Sequence, residues 1–195
     1  MKKQTMPAKR SVKRICTYLI LALSAGIVFT SCKKEKDEVK SYVEIDGDRK
    51  IISTSDLCYT GIGANISITY YNYSLYLLTD GVTITSWNSS DPVFSGNGLF
   101  VQFNLSTLND EKPATGEYPW TLSSEGNQLV GGGYANITAG VRGEVKEFST
   151  GITEVKYDGE KMSITYNGTD EYNTAISVFF SGIPAFHDLY DPSRK

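Results

Sequence analysis

The 195-residue chain carries 19 lysines and arginines, 22 aspartates and glutamates and one histidine, for a formal net charge of −3. Six of the basic residues and none of the acids lie before Cys32, so the chain from Cys32 onward holds 13 bases against 22 acids, a net of −9. Such acidity excludes nucleic acid, which needs basic surface to displace counterions, and excludes a polybasic membrane patch.

The first segment is basic at Lys2, Lys3, Lys9, Arg10, Lys13 and Arg14, then uncharged from Ile15 to Phe29. Those 15 residues fall short of the ~20 that a spanning helix needs. They suit the apolar region of a secretory signal, which a small-residue cleavage site should follow. Phe29-Thr30-Ser31-Cys32 comes next, and here the chain resembles bacterial lipoprotein precursors. The resemblance implies removal of residues 1–31 and acylation of Cys32 on its thiol and amine. More than one acyl chain is what stable membrane anchoring requires.

Residues 32–40 then form the lipidated cysteine and a tether. Lys33 to Lys40 is charged and apolar-poor, a composition that does not fold. Its acids resemble the short acidic tags of surface-displayed lipoproteins of the Bacteroidota. That implies the outer membrane, with the cell surface favoured over the periplasmic face. Residues 41–195 are expected to make one domain, large enough to hold a core without staples. With Cys16 in the signal and Cys32 lipidated, Cys58 is left alone and is expected to be a small buried apolar residue.

Strand signals begin at Ser41, with Tyr, Ile, Val, Phe and Thr punctuated by Gly, Asn, Asp and Ser. Asp46-Gly47-Asp48 is predicted as a three-residue loop pairing Val43 with Ile51 and Glu44 with Lys50. Tyr70 shares a face with Ile66 and Ile68 and is expected in the core. Asp80-Gly81 is predicted as a two-residue hairpin turn pairing Leu77 with Ile84 and Ser74 with Trp87. Period-two alternation marks Leu99, Val101, Phe103 and Leu105, then Met162, Ile164 and Tyr166, then Ile176, Val178 and Phe180. Asp158-Gly159 is predicted as a hairpin turn pairing Val155 with Met162 and Thr153 with Ile164. Many short strands without βαβ alternation predict an all-β fold. It is expected to be a two-sheet antiparallel sandwich, with a closed barrel of calycin type as the alternative.

The second half carries Gly116-Glu117-Tyr118, Phe148-Ser149-Thr150-Gly151, Gly159, Ile164-Thr165-Tyr166 and Phe180-Ser181-Gly182. This pattern resembles small Bacteroidota lipoproteins of mostly unassigned function. The resemblance covers about a third of the chain and implies a β framework and membrane anchoring, with no chemistry attached.

Enzyme signatures are thin, and no catalytic residue is assigned. His187 lies near the C-terminus beside Asp188, and no Gly-x-Ser-x-Gly elbow accompanies it. Zinc would need several His or Cys ligands, and Asp46 with Asp48 lacks the ladder of acids a calcium loop needs. No metal and no cofactor are expected. Gly131-Gly132-Gly133 lacks the Lys-Ser/Thr of a phosphate loop and reads as a bulge or tight bend. Aromatic rings offer more, since flat exposed rings stack on sugars and their polar tips make hydrogen bonds. Trp87, Tyr71, Tyr76 and Trp120 are the candidate ligand contacts. The sequence thus points to a lipid-anchored envelope protein with a non-catalytic binding domain. A glycan is the first expected partner and an envelope protein the second. The alternatives are an accessory subunit of an envelope complex and a small hydrolase.

Overall fold

A computed structural model of the protein describes residues 39–64, 69–89, 91–120 and 126–190. The signal segment, Cys32 and the tether through Glu38 lie outside the described residues, as do Ile66 and Ile68. The described residues fall in thirteen strands. They are β1 (Tyr42–Ile45), β2 (Asp48–Ala64), β3 (Thr69–Thr79), β4 (Val82–Asn88), β5 (Asp91–Gly96), β6 (Gly98–Thr107) and β7 (Gly116–Pro119), followed by β8 (Gln128–Thr138), β9 (Val141–Arg142), β10 (Lys146–Asp158), β11 (Lys161–Asp170), β12 (Ala175–Gly182) and β13 (Ala185–Asp188).

Eight of these strands close on themselves. The order β1-β2-β3-β6-β8-β10-β11-β12 follows the chain, every neighbour is antiparallel, and β12 returns to β1 through Tyr42↔Phe179 to Ile45↔Ile176. The fold is therefore the closed barrel, the alternative of the two architectures predicted, and not the sandwich. Two long strands make the difference. β2 pairs with β1 over residues 48–51 and with β3 over residues 52–64, bending at bulges between Ile52 and Thr54 and between Tyr59 and Gly61. β10 meets β8 at Lys146↔Tyr134 and Glu147↔Gly133, then continues along β11 and β7. Bulges add local twist, so each strand turns a corner that would otherwise separate two sheets. Glycine permits the second corner. A Cβ on Gly133 would sit 2.3 Å from the Lys146 carbonyl oxygen, and one on Gly132 (φ +147) 2.4 Å from that of Gln102. The triple-glycine run, predicted as a bulge or tight bend, adjoins the register shift of β8 against Asn104 and Leu105.

The barrel interior is filled. Val43, Leu75, Leu77, Val101, Phe103, Leu105, Val155, Met162, Ile164 and Val178 are all buried in one cluster. Phe103, Phe148 and Tyr166 pack ring against ring at 4.5–5.5 Å between centroids. The alternation at β6, β11 and β12 is seen as predicted. Outward positions of β10 and β11, such as Glu154, Lys156, Lys161, Ser163 and Thr165, are polar. This is the reverse of a barrel whose outer face meets lipid.

A second, smaller core lies outside the barrel. The β4–β5 hairpin covers the outer face of β2, β3, β6 and β8, burying Cys58, Tyr76, Leu78, Phe100, Ala135 and Ile137 beneath Val82 and Phe94. β3 is consequently buried on both faces from Tyr73 to Thr79. This layer corrects the predicted hairpin at Asp80-Gly81. Leu77 pairs with Ser55 and Val101, so both edges of β3 are taken, and the chain leaves the sheet at the turn.

The other two turns form with shifted registers. Asp46 (φ +49) and Gly47 (φ +81) make a two-residue loop that pairs Val43 with Lys50 and Ile45 with Asp48, in place of the predicted Val43–Ile51 register. Two consecutive positive φ angles are the type I′ signature. β10 and β11 are joined by Gly159-Glu160, which pairs Val155 with Ile164 and Tyr157 with Met162 in place of the predicted partners. The turn moves by one residue, so Val155 changes partner by two and Val155, Met162, Ile164 and Tyr166 all still face inward.

Candidate functional site

The barrel wall is interrupted on one side. β1 begins at Tyr42, so β2 loses that partner after Ile51. β13 takes over the same edge, in parallel, only from Asp56 to Tyr59. Between them Ser53, Thr54 and Ser55 line a lateral groove of about 590 Å³. Its opposite wall is the end of β12, and Thr83 and Ile84 of β4 overhang it. Its floor reaches the core residues Ile52 and Phe180.

Hydroxyl groups dominate this groove. Ser53 Oγ donates to the Leu78 carbonyl at 3.3 Å, and Ser41 Oγ accepts from the Ser181 N–H at 2.9 Å. The side chains of Thr54, Ser55 and Thr83 have no hydrogen-bond partner among the described residues. They are free to bond a polar ligand, while Ile52, Ile84 and Ile183 offer apolar contact alongside.

One end of the groove is fixed by a carboxylate–imidazole pair. Asp56 Oδ1 lies 2.7 Å from His187 Nε2, and both side chains are largely withdrawn from solvent. The His187 ring packs against Trp87 at 5.3 Å, and Trp87 packs edge-on against Tyr76 at 5.4 Å. A chain of contacts therefore runs from the groove-lining carboxylate through imidazole and indole into the outer core. Cys58, two residues along the same strand face, is buried, and burial first and the Asp56 charge second push its thiol up to about 12. Such a thiol is inert as a nucleophile. A carboxylate–imidazole pair can move a proton, but acyl transfer also needs a nucleophile within its reach. No serine hydroxyl bonds His187 among the described residues. Nor do three or more His, Cys, Asp or Glu side chains gather as a metal site among them.

The four aromatic candidates do not form one surface. Trp87 is half-buried at the rim of the outer core, and Tyr76 is buried beneath it, so the expectation of an exposed Tyr76 is corrected. The physical reason is the hairpin that covers this face of β3. Tyr71 and Trp120 are half-buried against the interior cluster at the barrel end where β6 finishes, Tyr71 opposite Thr107 and Trp120 bridged to Leu129. Tyr70 is buried as expected.

Two groove features escaped sequence reasoning: the hydroxyls of β2, and Asp56 as the partner of His187. One signal was present. Ser53-Thr54-Ser55-Asp56 is a run of four polar residues between Ile52 and Leu57, breaking the alternation of a barrel strand. No family model, curated protein or solved structure matches the chain.

Proposed function

We propose that the protein is a lipid-anchored envelope protein, held at the outer membrane through Cys32, whose barrel binds a glycan in the lateral groove without chemical turnover. The observation that carries this reading is the lining of the groove: three unpartnered hydroxyls beside Asp56, with aliphatic side chains between them. Sugars present the same mixture of hydroxyl rims and apolar faces. The packed interior of the barrel supports the same placement, since it leaves a ligand the wall and ends of the barrel. Anchoring rests on the signal pattern ahead of Cys32 and on the charged tether that follows.

Trp87 supplies the assay. Its ring contacts His187, which holds Asp56, so a glycan bonding Asp56 shifts indole emission. Titration with a panel of neutral and acidic polysaccharides should give a saturable change that Asp56→Ala abolishes. Absence of any response across the panel, or an unchanged response in Asp56→Ala, would sink the groove as the binding site. For the anchor, Cys32→Ala should move the protein from the membrane fraction to the soluble fraction, and retention on membranes would refute lipidation at that residue.

A further inference from the structure

The barrel end at which the β1–β2 turn lies breaks the pattern of the strands that form it. Val43 faces inward and is buried, and the register pairs it with Lys50, which therefore faces the same way. Lys146 shares its strand face with Phe148, and Asn136 with Tyr134. Further along these strands the inward positions are mostly apolar or aromatic, as at Ile52, Leu57, Phe148 and Val155, with Ser55 and Thr153 uncharged exceptions. A local rule broken at several neighbouring positions is where a functional site is to be sought.

Lys50, Lys146, Asn136 and Tyr134 line one cavity of about 390 Å³, together with Asp46, Asp48 and Thr174. That volume falls in the range of roughly 300–1,000 Å³ typical of small-molecule sites. Its charges are unequally satisfied. Asp48 and Lys50 pair with each other at 3.8 Å. Lys146 lies 5.8 Å from the Tyr134 ring centre and 5.9 Å from that of Tyr172, with no carboxylate partner among the described residues. Asp46, on the β1–β2 turn, has no cationic partner among them either. Tyr134, which forms part of the Lys146 wall, is fixed by its hydroxyl donating to Asp170 at 2.8 Å. Two opposite charges thus line the same cavity, each without a counter-ion among the described residues.

We propose that this open end is a binding site for a small zwitterion, a free amino acid or short peptide, with its carboxylate on Lys146 and its ammonium on Asp46. Neutral glycans offer neither charge, so this site is separate from the lateral groove. Both side chains are exposed, and exposed ion pairs contribute little each. Affinity is therefore weak, with a dissociation constant of roughly 1–10 mM.

The test is calorimetric titration of the full-length protein in nonionic detergent with alanine, dialanine and trialanine, which carry the same two charges at increasing separation. At least one should bind. Its N-acetylated and C-amidated forms, each lacking one charge, should bind roughly two- to fivefold more weakly. Lys146→Gln and Asp46→Asn should weaken it to a similar degree, and Asp56→Ala should leave it unchanged. Asn tolerates the left-handed conformation of position 46, so the turn is retained. No heat from any of the three peptides would overturn the proposal. So would equal binding of the blocked forms, or an affinity indifferent to both substitutions. The blocked ligands need no altered protein and keep the test decisive if a variant fails to fold.

Discussion

Asp170 is fully buried at the end of β11, and replacing it by alanine should be among the most destabilising single changes in the barrel. Its Oδ1 accepts the Tyr172 N–H at 2.9 Å and the Thr174 N–H at 2.8 Å, closing the β11–β12 turn. Its Oδ2 accepts the Tyr134 hydroxyl at 2.8 Å, tying that turn to β8. Hydrogen bonds to a charged group contribute about 1.5–3 kcal/mol each. The two N–H groups lie in a turn with exposed Tyr172 and Asn173 and can recover water, so they count near or below the low end. The Tyr134 hydroxyl is buried and counts higher. The sum for Asp170→Ala is roughly 3–5 kcal/mol, against about 5–15 kcal/mol for a whole domain. At about 2–4 °C per kcal/mol for a domain of this size, the midpoint should fall by roughly 6–20 °C. Asp170→Asn keeps the shape and should lose roughly 1–2 kcal/mol. Burial pushes the Asp170 carboxyl up, but the bonds from Thr174, Tyr134 and Tyr172 outweigh it and hold it below its ordinary value. A carboxyl held low contributes stability that is complete above about pH 4 and is lost as pH falls through the lowered value. Urea unfolding of the Lys40–Lys195 unit at several pH values measures both effects. An Asp170→Ala variant within about 0.5 kcal/mol of the parent, or a deficit that grows on acidification, would refute the reasoning.

Three further outcomes are expected. Gly132→Ala places a methyl group against the Gln102 carbonyl at a positive φ and should cost at least about 2 kcal/mol in the same unfolding assay. Cys58 should resist a thiol reagent in the folded protein at pH 8 and react fully in denaturant; rapid native labelling would contradict its burial and raised pKa. Deleting the chain after Gly182 removes β13, the His187–Asp56 bond and the Leu189 contact with the outer core, and should lower the thermal midpoint and promote association through the bared β2 edge. A truncated protein that stays monomeric and equally stable would remove β13 from any structural role.

Local pattern made much of this fold legible. β6, β11 and β12 alternate because each has one face in the barrel, and a period of two is visible in any short window. Asp-Gly pairs marked three chain reversals, since positive φ angles favour those residues. The failures share a cause. Leu77 opposite Ile84 looked sound because apolar residues were assumed to meet within a hairpin. In the fold Leu77 meets a strand more than twenty residues away on each side. Lys50 was assigned away from Val43 by the same preference for apolar opposition, which fails where the wall ends and water begins. Tyr76 reads as exposed by alternation, and only the hairpin folded over it makes it buried. His187 looks like an isolated tail residue because its partner, Asp56, is 131 positions earlier in the chain. Sequence shows which side of a strand is greasy; it does not show what lies on the other side.

Closure of the ring through β12 and β1 has a consequence for how the molecule is made. All other neighbours in the wall follow one another along the chain, so each can add to a growing curved sheet as synthesis proceeds. The first strand must wait for nearly the last, across a separation of about 140 residues, and joining distant segments is the slow part of folding. Until then both lips of the unfinished ring carry unpaired backbone. A chain stalled before Ala175 is thus a sheet with two adhesive margins, and the stretch around Ile176 to Phe180 acts as the clasp that ends its exposure to other chains.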